Sequence, residues 1–347
     1  MGRSDFNVNG PAVGNGNYFG LPHTVDESEL IIVSVPWEVT VSYGGGASAA
    51  PGAIIDASLQ IDLYDVHNPG GWQRGIGTVP VEETILKNNK RLKEEARKII
   101  RHLESGGMRD DKSVVLKLKE INEASGRLND YVYNESKRWL DLGKTVAVVG
   151  GDHSVPLGLM KAVAGKYPGV GILHIDAHAD LRREYEGFTY SHASVMYNAL
   201  TRNSTIGSLT QVAIRDFCDD EVEFYKNDER IYVFTDHSLH VRRMKGEPWD
   251  KTCDDIVNGL PENVYISFDI DGLSPDNCPN TGTPVPGGLS YNEAVHLISK
   301  VVESGRRIVG FDLCEVSPGG AGDWDANVGA RVLYKLCNLT LKSKYAG

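Results

Sequence analysis

Cysteine is scarce in this sequence. There are five in 347 residues, at 218, 253, 278, 314 and 337, an odd number with no Cys-x-x-Cys pair. A disulfide scaffold is therefore excluded, and a reducing compartment is expected. No apolar run reaches the ~18 residues that a bilayer span needs. The opening MGRSDFNVNG has no apolar segment of the secretory kind, and Phe6 stands where an acylated Met1-Gly2 start would carry Ser or Thr. A cytoplasmic location is the expectation. Basic charge is also in deficit, with 36 Lys+Arg against 47 Asp+Glu. An excess of acid draws neither nucleic acid nor anionic lipid, so no partner of either kind is expected. Gly-x-Gly-x-x-Gly and Gly-Lys-Ser/Thr are both missing, which leaves Gly44-Gly45-Gly46 as a flexible loop rather than a phosphate cradle.

What is present is a strand–loop–helix grammar. Leu30–Val35, Thr145–Val149, Gly171–Ile175, Gln211–Ile214, Ile231–Thr235, Val264–Phe268 and Ile308–Phe311 are short apolar, β-branched runs. Helical patterns separate most of them. Such runs belong to parallel strands buried on both faces, hence to an α/β fold with a covered sheet. One domain over 1–347 is expected. It carries a Gly/Asn/Pro-rich arm over about 1–28 and an added helical segment over about 80–141, divided at Gly106-Gly107.

Ligand sites in such sheets lie beyond the C-terminal strand ends. Four strands here end in polar motifs: Gly150-Gly151-Asp152-His153-Ser154, Asp176-Ala177-His178-Ala179-Asp180, Asp269-Ile270-Asp271-Gly272 and Asp312-Leu313-Cys314-Glu315. Alternate residues of an extended chain point the same way, so Asp176, His178 and Asp180 can converge, as can Asp269 and Asp271. A lone DxD is commonly a helix cap. Three such motifs, each after its own apolar strand, are not. With His153 they make four carboxylates and two imidazoles, which repel one another unless cations neutralise them. One ion would be overcrowded, whereas two can share carboxylates in a hydrolytic pair. The mixed N/O set suits Mn, Fe, Co, Ni or Zn. His174 reads as a packed histidine and Cys314 as a core filler.

GGDHS, DAHAD, SFDIDGLSP and the GTPVPGGLS–GFDLCEVSP pair together resemble the ureohydrolases, a family that includes arginase, agmatinase, guanidinobutyrase, formiminoglutamase and guanidine hydrolase. The resemblance implies a three-layer α/β/α arginase-like fold with a mainly parallel sheet. It implies two divalent ions per chain, Mn2+ by expectation with Ni2+ open, and a homotrimer or homohexamer. Carried over by motif, His153 and Asp180 would bind one ion and His178 and Asp271 the other, with Asp176 and Asp269 bridging. His192 would be the catalytic-loop histidine and Glu315 the acid that holds the guanidinium. Zinc deacetylases share the fold but use one metal, and the second DxD argues against them.

The substrate is a small guanidinium compound by the same resemblance. Where arginases place polar anchors for the amino-acid end, this chain has Arg182, Phe188, Tyr190 and Cys218, with Asp219 and Glu221 nearby. The DLRxxYEGxxYSHA loop is similar to agmatinases. Agmatine hydrolysis to putrescine and urea is therefore the expectation. Guanidine hydrolysis to urea and ammonia, and arginase or other guanidino-acid hydrolysis, remain open.

Overall fold

The computed structural model describes residues 6–319 and 323–345. Met1-Gly2, on which the acylation argument turns, lie outside them. Among the described residues, eight strands form one sheet: β1 Leu30–Val35, β2 Ile76–Val79, β3 Thr145–Gly150, β4 Val170–Ile175, β5 Ile206–Ile214, β6 Ile231–Thr235, β7 Asn263–Asp269 and β8 Arg307–Cys314. The α-helices that accompany them are α1 Ala50–Ser58, α2 Glu83–Glu104, α3 Lys112–Asp141, α4 Leu157–Lys166, α5 Val195–Arg202, α6 Asp219–Lys226, α7 Asp236–Met244, α8 Trp249–Asn258, α9 Tyr291–Glu303 and α10 Trp324–Ser343. The strand order is β2-β1-β3-β8-β7-β4-β5-β6, and every pairing is parallel.

The alternation of side chains along each strand builds two cores. Leu30 and Ile32 of β1 face a cluster with α1, α8, α9 and α10, while Ile31, Val33 and Val35 face another with α2, α3, α4 and α5. Both faces are therefore covered by helices, and the molecule is a three-layer α/β/α sandwich around a parallel sheet. Each fully buried Leu, Ile or Val contributes roughly 1.5–3 kcal/mol. That explains why strands with almost no polar residues are stable only when sheathed on both sides.

The helical segment over 80–141 is two helices, α2 and α3, split near Gly106-Gly107 as the sequence suggests. Their buried positions, among them Ile85, Asn89, Leu92, Ala96 and Ile99 in α2 and Val114, Leu118, Ile121, Ala124 and Leu128 in α3, fall at spacings of three and four. The stretch read as an arm is tied down from Tyr18 onward. Tyr18, Phe19 and Leu21 are buried, and the Phe19 ring packs edge-on against Tyr334 of α10. Strand β2 has no counterpart in the sequence reading. It lies at the sheet edge, and half of its four residues are partly exposed. All five cysteines are free, and no helix among the described residues is long and apolar enough to cross a membrane.

Candidate metal centre

The strands that end in polar motifs, β3, β8, β7 and β4, are consecutive neighbours in the sheet. Their C-terminal ends therefore meet at one place. Close backbone approach is required there: a Cβ on Gly151 would lie 1.8 Å from the Trp37 carbonyl oxygen, so only glycine fits. Glu315 and Asp180 both hold positive φ, +60° and +54°, in the left-handed region that non-glycine residues avoid. Strain of this kind persists where surrounding packing fixes a side chain's aim.

His153 Nδ1 lies 3.0 Å from Asp176 Oδ2, 2.9 Å from Asp180 Oδ2 and 3.4 Å from Asp269 Oδ2. His178 Nδ1 lies 3.1 Å from Asp271 Oδ2 and 3.5 Å from Asp176 Oδ1. Two of the three donor groups among the described residues share Asp176, one of His153, His174, Asp176 and Asp180 and one of Asp176, His178 and Asp271; the third, of His153, Asp312 and Cys314, lies behind His153. The six residues singled out from the motifs are thus brought together. All are buried except His178, which is partly exposed.

The charges around this cup show what it lacks. Burial, then Asp176, pushes Asp180 up to about 6. Burial, then Asp271 and Asp176, holds Asp269 well above the ordinary carboxylate range. Burial alone would lower His178, but Asp271 and Asp176 raise it to about 12. Arg215 offers these carboxylates no relief, because its guanidinium donates to backbone carbonyls of Ala213, Asp271, Leu273 and Val285. Four buried carboxylates with two imidazoles fit a pair of divalent cations and little else.

A buried shell aims these donors, and the sequence reading missed most of it. His153 Nε2 hydrogen-bonds to Ser267 Oγ (2.9 Å), which donates to Asp312 Oδ1 (3.1 Å), while Tyr265 OH donates to Asp312 Oδ2 (2.7 Å). The Nε2 bond to Ser267 turns Nδ1 to the carboxylates, and loss of the Nδ1 proton would leave there the lone pair that a metal ligand needs. On β5, the Gln211 amide donates to His174 Nδ1 (2.9 Å) and to the Ala179 carbonyl (2.7 Å). His174 Nε2–H then donates to Asp176 Oδ2 at 2.7 Å. His174 is packed, as expected, but it also orients Asp176. Cys314 is a fully buried filler beside Asp312.

Above the cup is a cavity of about 150 Å³, lined by His178, Asp180, Arg182, Tyr185, His192 and Glu221, with Ser42, Ala193, Asp216 and Thr283 at its sides. His192 Nδ1 lies 3.4 Å from Ser191 Oγ, and its ring meets Tyr185 edge-on at 6.1 Å. Burial, then the positive charge of His178 and His153, pulls His192 down to about 4. Glu315 Oε1 accepts the His153 backbone N–H at 2.9 Å.

Several residues expected to contact substrate are placed elsewhere. Phe188 is fully buried in the core shared with Leu118 and Ile121, because the turn at Gly187 drives its ring under the loop. Tyr190 packs on the same core with Arg202 over its ring. Cys218 caps α6 and lines a neighbouring cavity of about 920 Å³. Asp219 is exposed in the first turn of α6. Glu221 does line the cavity, yet its carboxylate accepts the backbone N–H groups of Leu181 (3.0 Å) and Cys218 (2.9 Å) in a capping box. Tyr185, Asp216 and Thr283 take the wall positions instead. Phe188→Ala is accordingly expected to cost ~3–5 kcal/mol of stability, checked by denaturant melts beside a substrate panel. An unchanged melt with a broadened substrate range would return the ring to the cavity wall.

Next to Phe188, Glu186 is half-buried, with its Oε2 unpartnered and its φ at +51°. Burial, then Glu104, raises its carboxyl from 4.5 to about 7. Its folded state favours the neutral form, so its contribution is complete below the unfolded value and is lost as pH rises through 7. Glu186→Gln is expected to stabilise the protein at about pH 8, on the order of 1 kcal/mol after solvent screening, and to do nothing at about pH 4. Equal melting shifts at both pH values would show that ionisation is not the cause.

A parallel sheet whose central strands end in paired His/Asp donors defines a binuclear metal-dependent hydrolase of the α/β/α class. The sequence matches the arginase family model over residues 28–338. It is 32% identical over 295 residues to an N(1)-aminopropylagmatine ureohydrolase of Thermus thermophilus, covering 85% of each chain. It is 27% identical to the agmatinase of Bacillus anthracis, covering 88% of this chain and 89% of that one. The agmatine ureohydrolase of Thermoplasma volcanium shares the fold, with a TM-score of 0.67, 22% identity, and coverage of 98% and 97% of the two chains. The chain belongs to the arginase family, the ureohydrolases, and hydrolyses a guanidino group to urea in a metal-dependent reaction.

Proposed function

We propose that this ureohydrolase acts on agmatine, releasing putrescine and urea. The observation that carries the reading is the charge at the cavity wall. Among the described residues that line the cavity, Arg182 alone is an arginine or lysine able to greet a substrate carboxylate, and it is already engaged. Its Nε lies 3.7 Å from Glu221 Oε2 and its guanidinium stacks 4.9 Å from the Tyr185 ring centre. Asp216 is exposed at the same wall and suits an amine. An α-carboxylate would meet no free guanidinium or ammonium among the described lining residues, and a buried charge without its counter-charge is strongly penalised. The names of the curated relatives, agmatinase and N(1)-aminopropylagmatine ureohydrolase, support a substrate that ends in an amine. The narrow cavity, with Tyr185 set edge-on to His192, favours guanidine as a second reading.

In this reading His153 and Asp180 would hold one ion and His178 and Asp271 the other, with Asp176 and Asp269 placed to serve both. Metal ions bound there supply Lewis acidity that lowers the pKa of water into the neutral range. The protein's own groups do the rest. The Glu315 carboxylate holds the planar guanidinium and orients its carbon. His192, neutral at pH 7, takes up at Nε2 the proton that the attacking water sheds as it bonds to the guanidino carbon, since Nδ1 is turned to Ser191, and passes it to the amine as the C–N bond breaks. Mn2+ with Ni2+ as the alternative, a trimer or hexamer, and a cytoplasmic location belong to the same proposal. Urea release should be measured for agmatine, N(1)-aminopropylagmatine, arginine, guanidinobutyrate and guanidine, with Mn- and Ni-loaded protein. Agmatine is expected to exceed arginine in kcat/KM by at least ~10-fold, since each ~1.4 kcal/mol of lost pairing is tenfold. Arginine at or above agmatine would reject the reading.

A further inference from the structure

The rim of the cavity comes from two loops far apart in sequence. Residues 36–46 bring Ser42, and residues 181–192 bring Arg182, Tyr185 and His192. Neither loop is part of a helix or a strand over most of its length. Both are instead bonded, through backbone atoms, to the same helical pair.

The first loop is held by α2. Asn89 Oδ1 accepts the backbone N–H of Glu38 at 2.8 Å. Lys93 Nζ lies 2.5 Å from Glu38 Oε1, and both side chains are largely buried. Glu38 in turn gathers the loop's far end, accepting Gly46 N–H at 2.7 Å and the Ser48 hydroxyl at 2.6 Å. The second loop is held by α3. Asn122 donates from Nδ2 to the Gly187 carbonyl (3.0 Å) and accepts Thr189 N–H at Oδ1 (2.9 Å), so one amide replaces a missing strand partner. Gly187, at φ +88°, permits this approach, because a Cβ there would stand 2.8 Å from Leu118 of α3. Arg109, in the α2–α3 connection, pairs with Glu184 of the same loop. The two helices are fastened to each other by Arg91–Glu120 at 2.6 Å and by Glu95–Lys117.

We propose that the α2–α3 pair is a clamp that sets the spacing of the two rim loops, with Asn89 and Asn122 as positioning residues for substrate choice. Neither side chain lines the cavity; each holds loop backbone a few residues from a lining residue, Asn89 at Glu38 and Asn122 at Gly187 and Thr189. A rim fixed from one rigid body keeps a set distance between Ser42 on one side and Tyr185 and His192 on the other. That distance decides how long a guanidino compound can be while its reacting carbon sits over the cup. A displacement of about 1 Å remote from the chemistry can cost ~10²-fold in rate. The inference rests on the reading that the guanidino substrate occupies this cavity.

The test compares Asn122→Ala, Asn122→Asp and Asn89→Ala with Leu128→Ala, a buried apolar position of α3. For each, kcat and KM are measured for agmatine, arginine and guanidine, along with melting temperature, metal content and amide hydrogen exchange of both loops. The Asn variants are expected to keep two metal equivalents. They should change the ratio of kcat/KM between long and short compounds by at least ~10-fold and speed exchange in the loop each one touches. Asn122→Asp, which keeps the Thr189 bond and loses the one to Gly187, should fall between wild type and Asn122→Ala, and it carries the test if the alanine variant does not fold. Leu128→Ala should lower the melting temperature and leave the ratio alone. Asn variants that behave like Leu128→Ala, or that leave loop exchange unchanged, overturn the clamp. Wild type preferring arginine rejects the agmatine reading alone, because the clamp is judged by the change in ratio. If wild type turns over none of the three, loop exchange decides.

Discussion

Asp176→Asn is expected to abolish urea release and to lower metal content well below two equivalents per chain, and Asp269→Asn to do the same. Asp176 is completely buried and faces three imidazoles: His153 Nδ1 at 3.0 Å, His174 Nε2 at 2.7 Å and His178 Nδ1 at 3.5 Å. Its other obligations are few, chiefly the His178 backbone N–H on Oδ1 at 2.6 Å. The amide is nearly isosteric, so the fold tolerates it. What disappears is the anion that both donor groups share, and an amide nitrogen is no ligand for a hard divalent ion. Loss of even an outer partner typically costs 10–100-fold in affinity, and an inner shared carboxylate costs more. Metal analysis and urea release on the same preparation check the claim. Two full equivalents with a near wild-type rate would remove Asp176 from the centre.

His192→Ala is expected to keep both metals and to slow turnover by ~10²–10⁴-fold, the usual range for a general acid–base group. The ring lies outside all three donor groups and lines the substrate cavity. Its loss leaves the cup's charge untouched and takes away the nitrogen that can accept a proton at neutral pH. The slowing should fall on kcat more than on KM, because the proposal gives the guanidinium to Glu315 and not to the imidazole. A stoichiometric loss of metal would make His192 a ligand and end the proton-carrier assignment.

What could be read from the residues alone follows from how local each signal is. DAHAD and DID are legible as clusters of donor residues just past an apolar strand, but the alternation assumed for them does not hold, because β4 ends at Ile175, Asp180 stands at φ +54° and Asp271 lies in a 3-10 turn over Ile270–Gly272, so turns bring these donors together. The buried shell is different. Ser267, Asp312 and Tyr265 serve His153 only because β8 lies beside β3 and β7 beside β8 in the sheet, and no spacing along the chain announces that order. Gln211 reaches His174 for the same reason, from β5 to β4. Phe188 and Glu221 misled for a further reason. An aromatic or an acid in a rim loop reads as a contact with substrate, whereas here one anchors the loop and the other caps a helix. Helix α10 escaped notice because most of its twenty residues are buried on every side, which erases the polar stripe that marks an amphipathic helix.

The adjacency of β3, β8, β7 and β4 has a consequence for how the protein is made. His153 and Glu315, joined by one hydrogen bond, are 162 residues apart in the chain. A growing polypeptide that has emitted β3 and β4 holds only part of the donor set until β7 and β8 slot between them. Insertion of two late strands at the centre of a parallel sheet is a long-range step, and such steps are slow. Metal capture is therefore placed at the end of folding. Ions that bind only the finished sheet stabilise the whole of it by mass action. Chelation should then lower the melting temperature of all eight strands together, and metal starvation during synthesis should show up as slow maturation and lost yield before it shows up as lost activity.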